Sequence, residues 1–181
     1  MRWFTDEAYD ADEPGWDRML ADYQAHLDSI APLVPRDLLA LAAEPRLNLH
    51  DARFREVRVD RDASEVEMTL ECGDLQVGYR RITLQFGSAQ IVPDNLYLLA
   101  EAVGAEFRSN HWHRQRKVTE VLAHEVDVRS GGRFVLALRL TPFYEFAVEF
   151  GTLSMTEVPL AERGSARAAR YVSGRRRLAR R

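Results

Sequence analysis

The sequence predicts an α+β protein built on a largely antiparallel sheet, and three observations carry that prediction. Val66, Met68, Leu70 and Cys72 alternate with Glu65, Glu67, Thr69 and Glu71, the period-two pattern of a strand with one buried and one wetted face. The same alternation returns later, where Phe134, Leu136, Leu138 and Leu140 interleave with Arg133, Val135, Ala137 and Arg139 behind a Ser130-Gly131-Gly132 turn. Ahead of both, Trp16, Leu20, Tyr23, Leu27 and Ile30 are spaced four, three, four and three apart, which puts an apolar stripe along one side of a helix.

Taken in order, Thr5 and Asp6 can cap a short first turn, and Pro14-Gly15 reads as a turn signal before the helix that starts at Trp16. Pro32 and Pro35 end that helix, because proline lacks the amide donor and pushes the preceding residue out of helical geometry. A second helix through Leu38, Leu39, Leu41 and Ala42 completes a helical hairpin over residues 16–43 whose apolar face needs a sheet to cover. The apolar parity changes between Phe54 and Val57, which predicts a bulge. Strands are expected over 57–60, 65–72, 75–86 and 89–92, giving a first β-unit over 51–92. A helix with Leu96, Leu99, Val103 and Phe107 at helical spacing and a basic loop fill 94–117. A second β-unit follows over 118–157, with strands at 118–129, 133–141, 144–150 and 153–157. Residues 1–160 are expected to form one domain, and 161–181 an arginine-rich, flexible tail in which Ser165 would cap a short helix through Tyr171-Val172.

The two β-units can be laid on each other. Val66, Met68, Leu70 and Cys72 fall on Phe134, Leu136, Leu138 and Leu140, and Ile82-Thr83-Leu84-Gln85-Phe86-Gly87-Ser88 falls without a gap on Phe146-Ala147-Val148-Glu149-Phe150-Gly151-Thr152. The shared Phe-Gly-Ser/Thr and its flanking parity suggest a duplication.

Bulk properties narrow the class. A chain of 181 residues buries roughly 70% of its unfolded surface and needs no disulfide staple. Its one cysteine, Cys72, shares the apolar face with Leu70, which reads as a buried thiol and fits a reducing compartment. The acidic N-terminus has no apolar secretory core, and no apolar run approaches the ~20 residues of a membrane helix. The expectation is a soluble cytoplasmic protein that does not enter membranes. The net charge is −3, but residues 161–181 hold eight arginines and one acid, so the remaining 160 residues carry −10. An acidic body with a basic tail favours a protein partner of opposite charge, or nucleic acid held by the tail.

The opening Met1-Arg2-Trp3-Phe4-Thr5, the Leu49-His50-Asp51-Ala52 step and Val121-Leu122-Ala123-His124-Glu125-Val126 resemble an uncharacterised bacterial family of unknown function. Its members open Met-Lys/Arg-aromatic-Phe-Thr and carry a Leu-His-Asp-Ala step before a β-meander. The resemblance covers residues 1–158 and implies no activity, cofactor or catalytic residue. The meanders are loosely similar to those of some immunity proteins that neutralise bacterial toxins, an analogy of fold alone.

Three groups of residues are candidates for function. His50, Asp51, His124 and Glu125 stand before or at the start of the two β-units; two imidazoles and two carboxylates would suit a metal or acid–base site if the fold brought them together, whereas a hydrogen-bonded interior histidine and a turn-capping aspartate are the commoner fates of such residues. His111, Trp112, His113, Arg114 and Arg116 form a basic stretch around an aromatic, a composition common at interfaces. Arg167, Arg170, Arg175, Arg176, Arg177, Arg180 and Arg181 of the tail can neutralise phosphates, but no nucleic-acid-binding module accompanies them. The tail could equally fold back on the acidic body. No Gly-rich phosphate loop, nucleophile elbow or paired zinc-type cysteines occur in the chain, and no cofactor or resident metal is called for. The sequence therefore favours a non-enzymatic protein-binding module, such as an immunity protein facing a basic toxin. Tail-mediated nucleic-acid association and a metal-dependent enzyme built on His50, Asp51, His124 and Glu125 are the alternatives.

Overall fold

Antiparallel sheets and helices together make up an α+β architecture. The computed structural model describes residues 1–94, 99, 120–141, 144–162 and, in backbone only, 170–173. The helices are α1 (Asp6–Tyr9), α2 (Glu13–Ile30) and α3 (Arg36–Ala43), followed by a 3-10 turn at Pro45–Leu47. The strands are β1 (Arg53–Asp60), β2 (Glu65–Asp74), β3 (Gly78–Gly87), β4 (Gln90–Val92), β5 (Val121–Arg129), β6 (Arg133–Leu140), β7 (Tyr144–Phe150), β8 (Thr152–Leu160) and β9 (Arg170–Ser173). Of the helix expected over 94–107, Asp94 precedes it and Leu99 is helical and buried; the other positions, and the basic stretch 108–117, lie outside the described residues.

Two sheets form, ordered β8-β3-β2-β1-β9 and β4-β7-β6-β5. Each meander contributes three strands to its own sheet and lends its fourth strand to the other. Their registers correspond one for one. Val66–Phe86, Met68–Leu84 and Leu70–Ile82 in the first have Phe134–Phe150, Leu136–Val148 and Leu138–Phe146 as counterparts in the second. The exchanged strands match too, since Ile91 lies opposite Val148 and Met155 opposite Leu84. The expected bulge appears as a register shift between Phe54 and Glu56.

The crossover is made by the Phe-Gly-Ser/Thr motif itself. The Phe86 and Phe150 rings meet edge to face with centroids 4.8 Å apart, and Gly151 N donates to Gly87 O at 3.0 Å. A Cβ on Gly87 would stand 2.5 Å from Thr152 Oγ1, and one on Gly151 would stand 3.3 Å from Ser88 Cβ. A side chain on Gly87 would collide with Thr152 and one on Gly151 would crowd Ser88, so glycine at both positions eases the passage between the sheets. Around this point the inner faces share one core, with Phe54, Phe86, Phe150, Met68, Leu70, Ile82 and Leu84 essentially inaccessible. Cys72 is fully buried, as its parity required.

Local chemistry moved several boundaries. Helix α2 starts at Glu13, because Asp12 caps it by accepting from Gly15 N at 3.0 Å and Pro14 sits in the first turn, where no amide is needed. Leu75 and Val77 do not open β3. Asp74 Oδ1 accepts from Gln76 N and Val77 N at 2.7 and 3.0 Å, closing a turn that leaves Leu75 90% exposed. The helix expected through Tyr171-Val172 is instead β9, a strand lying parallel to β1 in the register Glu56–Arg170 to Val59–Ser173.

The outer edge of β5 is sealed by the N-terminal elements. The Tyr23 hydroxyl of α2 accepts from Val126 N at 2.9 Å, and Tyr9 donates its hydroxyl to Leu122 O at 3.3 Å. An edge strand left bare would offer its backbone to other chains. No helix among the described residues is long and apolar enough to cross a membrane.

Candidate functional site

The two junctions do come together. Asp51 N donates to Val121 O at 2.8 Å and Val121 N to Ala52 O at 2.9 Å, so the His50-Asp51 step lies against the start of β5. Chemically, though, two of the four predicted residues, His124 and Glu125, are spent on structure. His124 is buried and its Nε2 donates to Leu41 O at 3.1 Å, holding the end of α3 on β5. Burial lowers its pKa to about 4, with the nearness of His50 adding to the effect and the bond to Leu41 opposing it. Glu125, also buried, accepts three backbone amides, from Arg2 (2.8 Å), Trp3 (2.6 Å) and Phe4 (2.8 Å). The His50 and Asp51 side chains are exposed and pair with each other, 3.2 Å apart. Among the described residues no group of three or more His, Cys, Asp or Glu side chains is placed to hold a metal ion. The described structure gives His124 and Glu125 structural partners and leaves His50 and Asp51 at the surface, so the seam works as a joint.

His111, Trp112, His113, Arg114 and Arg116 lie outside the described residues, as do Arg167, Arg175, Arg176, Arg177, Arg180 and Arg181; Arg170 is placed only as the first residue of β9.

What the joint at Glu125 supports is a surface. By anchoring residues 2–4, it sets Phe4 against Trp16 and Tyr23, with ring centroids 6.1 and 5.3 Å away. The rings continue outward to Tyr9, 5.3 Å from Trp16, and inward through Trp3 to His26. Only the second half of the α2 stripe, Tyr23, Leu27 and Ile30, is buried on the body. In its first half Leu20 is 39% exposed and Trp16 half-buried, and Tyr9 of α1 beside Trp16 is 44% exposed. Arg139 holds the base of this surface through Asp6 and through Phe4 O at 3.1 Å, with its guanidinium over the Tyr9 ring.

The same segment carries Asp6, Glu7, Asp10, Asp12, Glu13, Asp17, Asp22 and Asp28, all exposed, against one base, Arg18, within residues 5–30. That segment carries −7 of the body's −10. The backbone amide of Glu7 itself and the Thr5 hydroxyl lower the Glu7 pKa, keeping its carboxylate charged. Acids at helix N-termini are favoured by the helix dipole, which explains their local placement, but Asp17, Asp22 and Asp28 lie beyond the first turn of α2 and gain nothing from it. No family model matches the chain, and no curated protein or solved structure matches it either. The likeness seen at Met1–Thr5 and Leu49–Ala52 lends no residue a role.

Proposed function

We propose that the protein is a protein-binding module whose acidic, aromatic face on α1 and α2 captures a basic protein. One observation carries this reading: residues 5–30 hold eight exposed carboxylates and one arginine in the same segment as the partly exposed Tyr9, Trp16 and Leu20. Opposite charge steers a cationic partner toward the surface and selects against acidic ones, while aromatic side chains supply the desolvated anchors on which binding energy concentrates. An immunity-like role toward a basic toxin is one instance of this class. The corresponding registers of the two meanders support a duplication of one β-unit as the origin of the scaffold.

The test is affinity capture from the native cell with two baits, the unaltered chain and an Asp10→Lys, Glu13→Lys, Asp17→Lys variant. The expected result is a basic protein retained by the first at low salt and lost, by tenfold or more, from the second. Equal recovery by both baits would remove the proposal.

A further inference from the structure

Strand β9 delivers the end of the chain to a specific place. Its parallel register sets Ser173, the last described residue, beside Val59, one residue before Asp60 and the turn at Arg61–Ser64. The sequence then continues Gly174-Arg175-Arg176-Arg177-Leu178-Ala179-Arg180-Arg181, with five arginines and no acid.

Val59 and Asp60 line a trough of about 530 Å³ across strands β1, β2, β3 and β8 of the five-stranded sheet. One wall is a rank of register partners, Arg58 on β1, Glu67 on β2, Gln85 on β3 and Ser154 on β8. These side chains are linked in turn. Arg58 Nε lies 3.8 Å from Glu67, Gln85 Nε2 donates to Glu67 at 3.1 Å, and Ser154 Oγ donates to Gln85 Oε1 at 3.3 Å. The neighbouring rank is Asp60, Glu65, Gly87 and Thr152, in which Gly87 contributes no side chain and so deepens the trough. Asp60, Glu65 and Glu67 against Arg58 give the lining a net charge of −2, and Arg58 is already engaged by Glu56 and Glu67.

We infer that this trough is the docking site of the chain's own arginine run, Arg175–Arg177. The guanidinium fork matches carboxylates such as Asp60 and Glu65. Reach is sufficient, because an extended chain advances ~3.3 Å per residue and adjacent strands stand ~4.8 Å apart. A tether this short also makes the encounter intramolecular, so exposed ion pairs that would be weak between separate molecules suffice here. Docked, the arginines are withheld from phosphate polymers; raised salt releases them.

Trypsin cleavage after Arg175, Arg176 and Arg177, followed by mass spectrometry on the full chain, tests the inference. At about 20 mM salt, where charges interact over a long range, the unaltered chain is expected to be cut there at least ~5-fold more slowly than an Asp60→Asn, Glu65→Gln variant. At about 0.5 M salt the difference should vanish. A Glu65→Asp variant keeps the charge and should be protected like the parent. Equal cleavage of parent and neutralised variant at low salt would overturn the docking, and so would loss of protection in Glu65→Asp.

Discussion

Replacing Glu125 by alanine should detach the N-terminal segment from the body. The carboxylate is buried on β5 and takes the amides of Arg2, Trp3 and Phe4 at 2.6–2.8 Å. A hydrogen bond to a charged group contributes about 1.5–3 kcal/mol net. Three donors would set the loss near 5 kcal/mol, but a segment free to peel away regains water, which brings the expected cost to about 3 kcal/mol. Glu125→Gln keeps one carbonyl oxygen to accept amides but turns the other oxygen into an NH2 that cannot accept from Arg2 N, so about 1–2 kcal/mol is expected. Glu145→Ala removes an exposed partner of the Met1 ammonium and of Arg139 and should cost less than about 1 kcal/mol. Urea unfolding followed by circular dichroism measures all three, with the dependence on denaturant unchanged and only the midpoint displaced. For a chain of this size each kcal/mol corresponds to about 2–4 °C in Tm. A loss under about 0.5 kcal/mol in Glu125→Ala would refute the role assigned to this carboxylate, and with it the anchoring of Phe4 beneath the acidic face.

Three further perturbations address the rest of the scaffold. His124 has its folded pKa lowered by burial from 6.5 to about 4, so the unfolded chain binds the extra proton; its contribution is whole above pH 6.5 and fades by about 3 kcal/mol as pH falls toward 4. Relative to the parent, His124→Gln keeps a donor for Leu41 O and should lose less stability over that interval; identical pH profiles would count against it. Gly87→Ala should destabilise by about 1 kcal/mol through its collision with Thr152 Oγ1; Thr152→Ala leaves the nearest atom at 3.9 Å and should rescue most of the loss, whereas strict additivity in the double-mutant cycle would contradict the crossover geometry. Glu71 is 1% exposed between Arg55 and Arg81; burial raises its pKa, but the two arginines outweigh this and the net shift is downward. Its stabilisation is therefore present at neutral pH and lost as pH falls through the lowered pKa, and Glu71→Ala should cost about 3 kcal/mol at pH 7, measured by the same unfolding assay.

The parts of the fold that were legible in the sequence are those decided locally. Period-two alternation placed β2 and β6, the parity change at Phe54–Val57 placed the bulge, and the Phe-Gly-Ser/Thr match aligned segments that lie opposite each other at the crossover. What escaped depends on distant partners. Glu71 shares the parity of the solvent-facing Glu65, yet Arg55 and Arg81 close over it. Glu125 looks like a reactive carboxylate until residues 2–4, more than 120 positions away in the chain, arrive to donate their amides. Strand β9 carries no alternation that a strand would need; the open edge of β1 recruits it. The acidic face was half visible, because the charges and the helical stripe could be read, whereas the partial exposure of Trp16 and Leu20 depends on which part of the stripe the body covers.

The most direct test of the acidic face is hydrogen exchange of the protein with its captured basic partner bound. Binding on α1 and α2 predicts added backbone protection concentrated in residues 6–22, around Tyr9, Trp16 and Leu20. Protection confined to the sheets, with residues 6–22 exchanging as in the free protein, would contradict it.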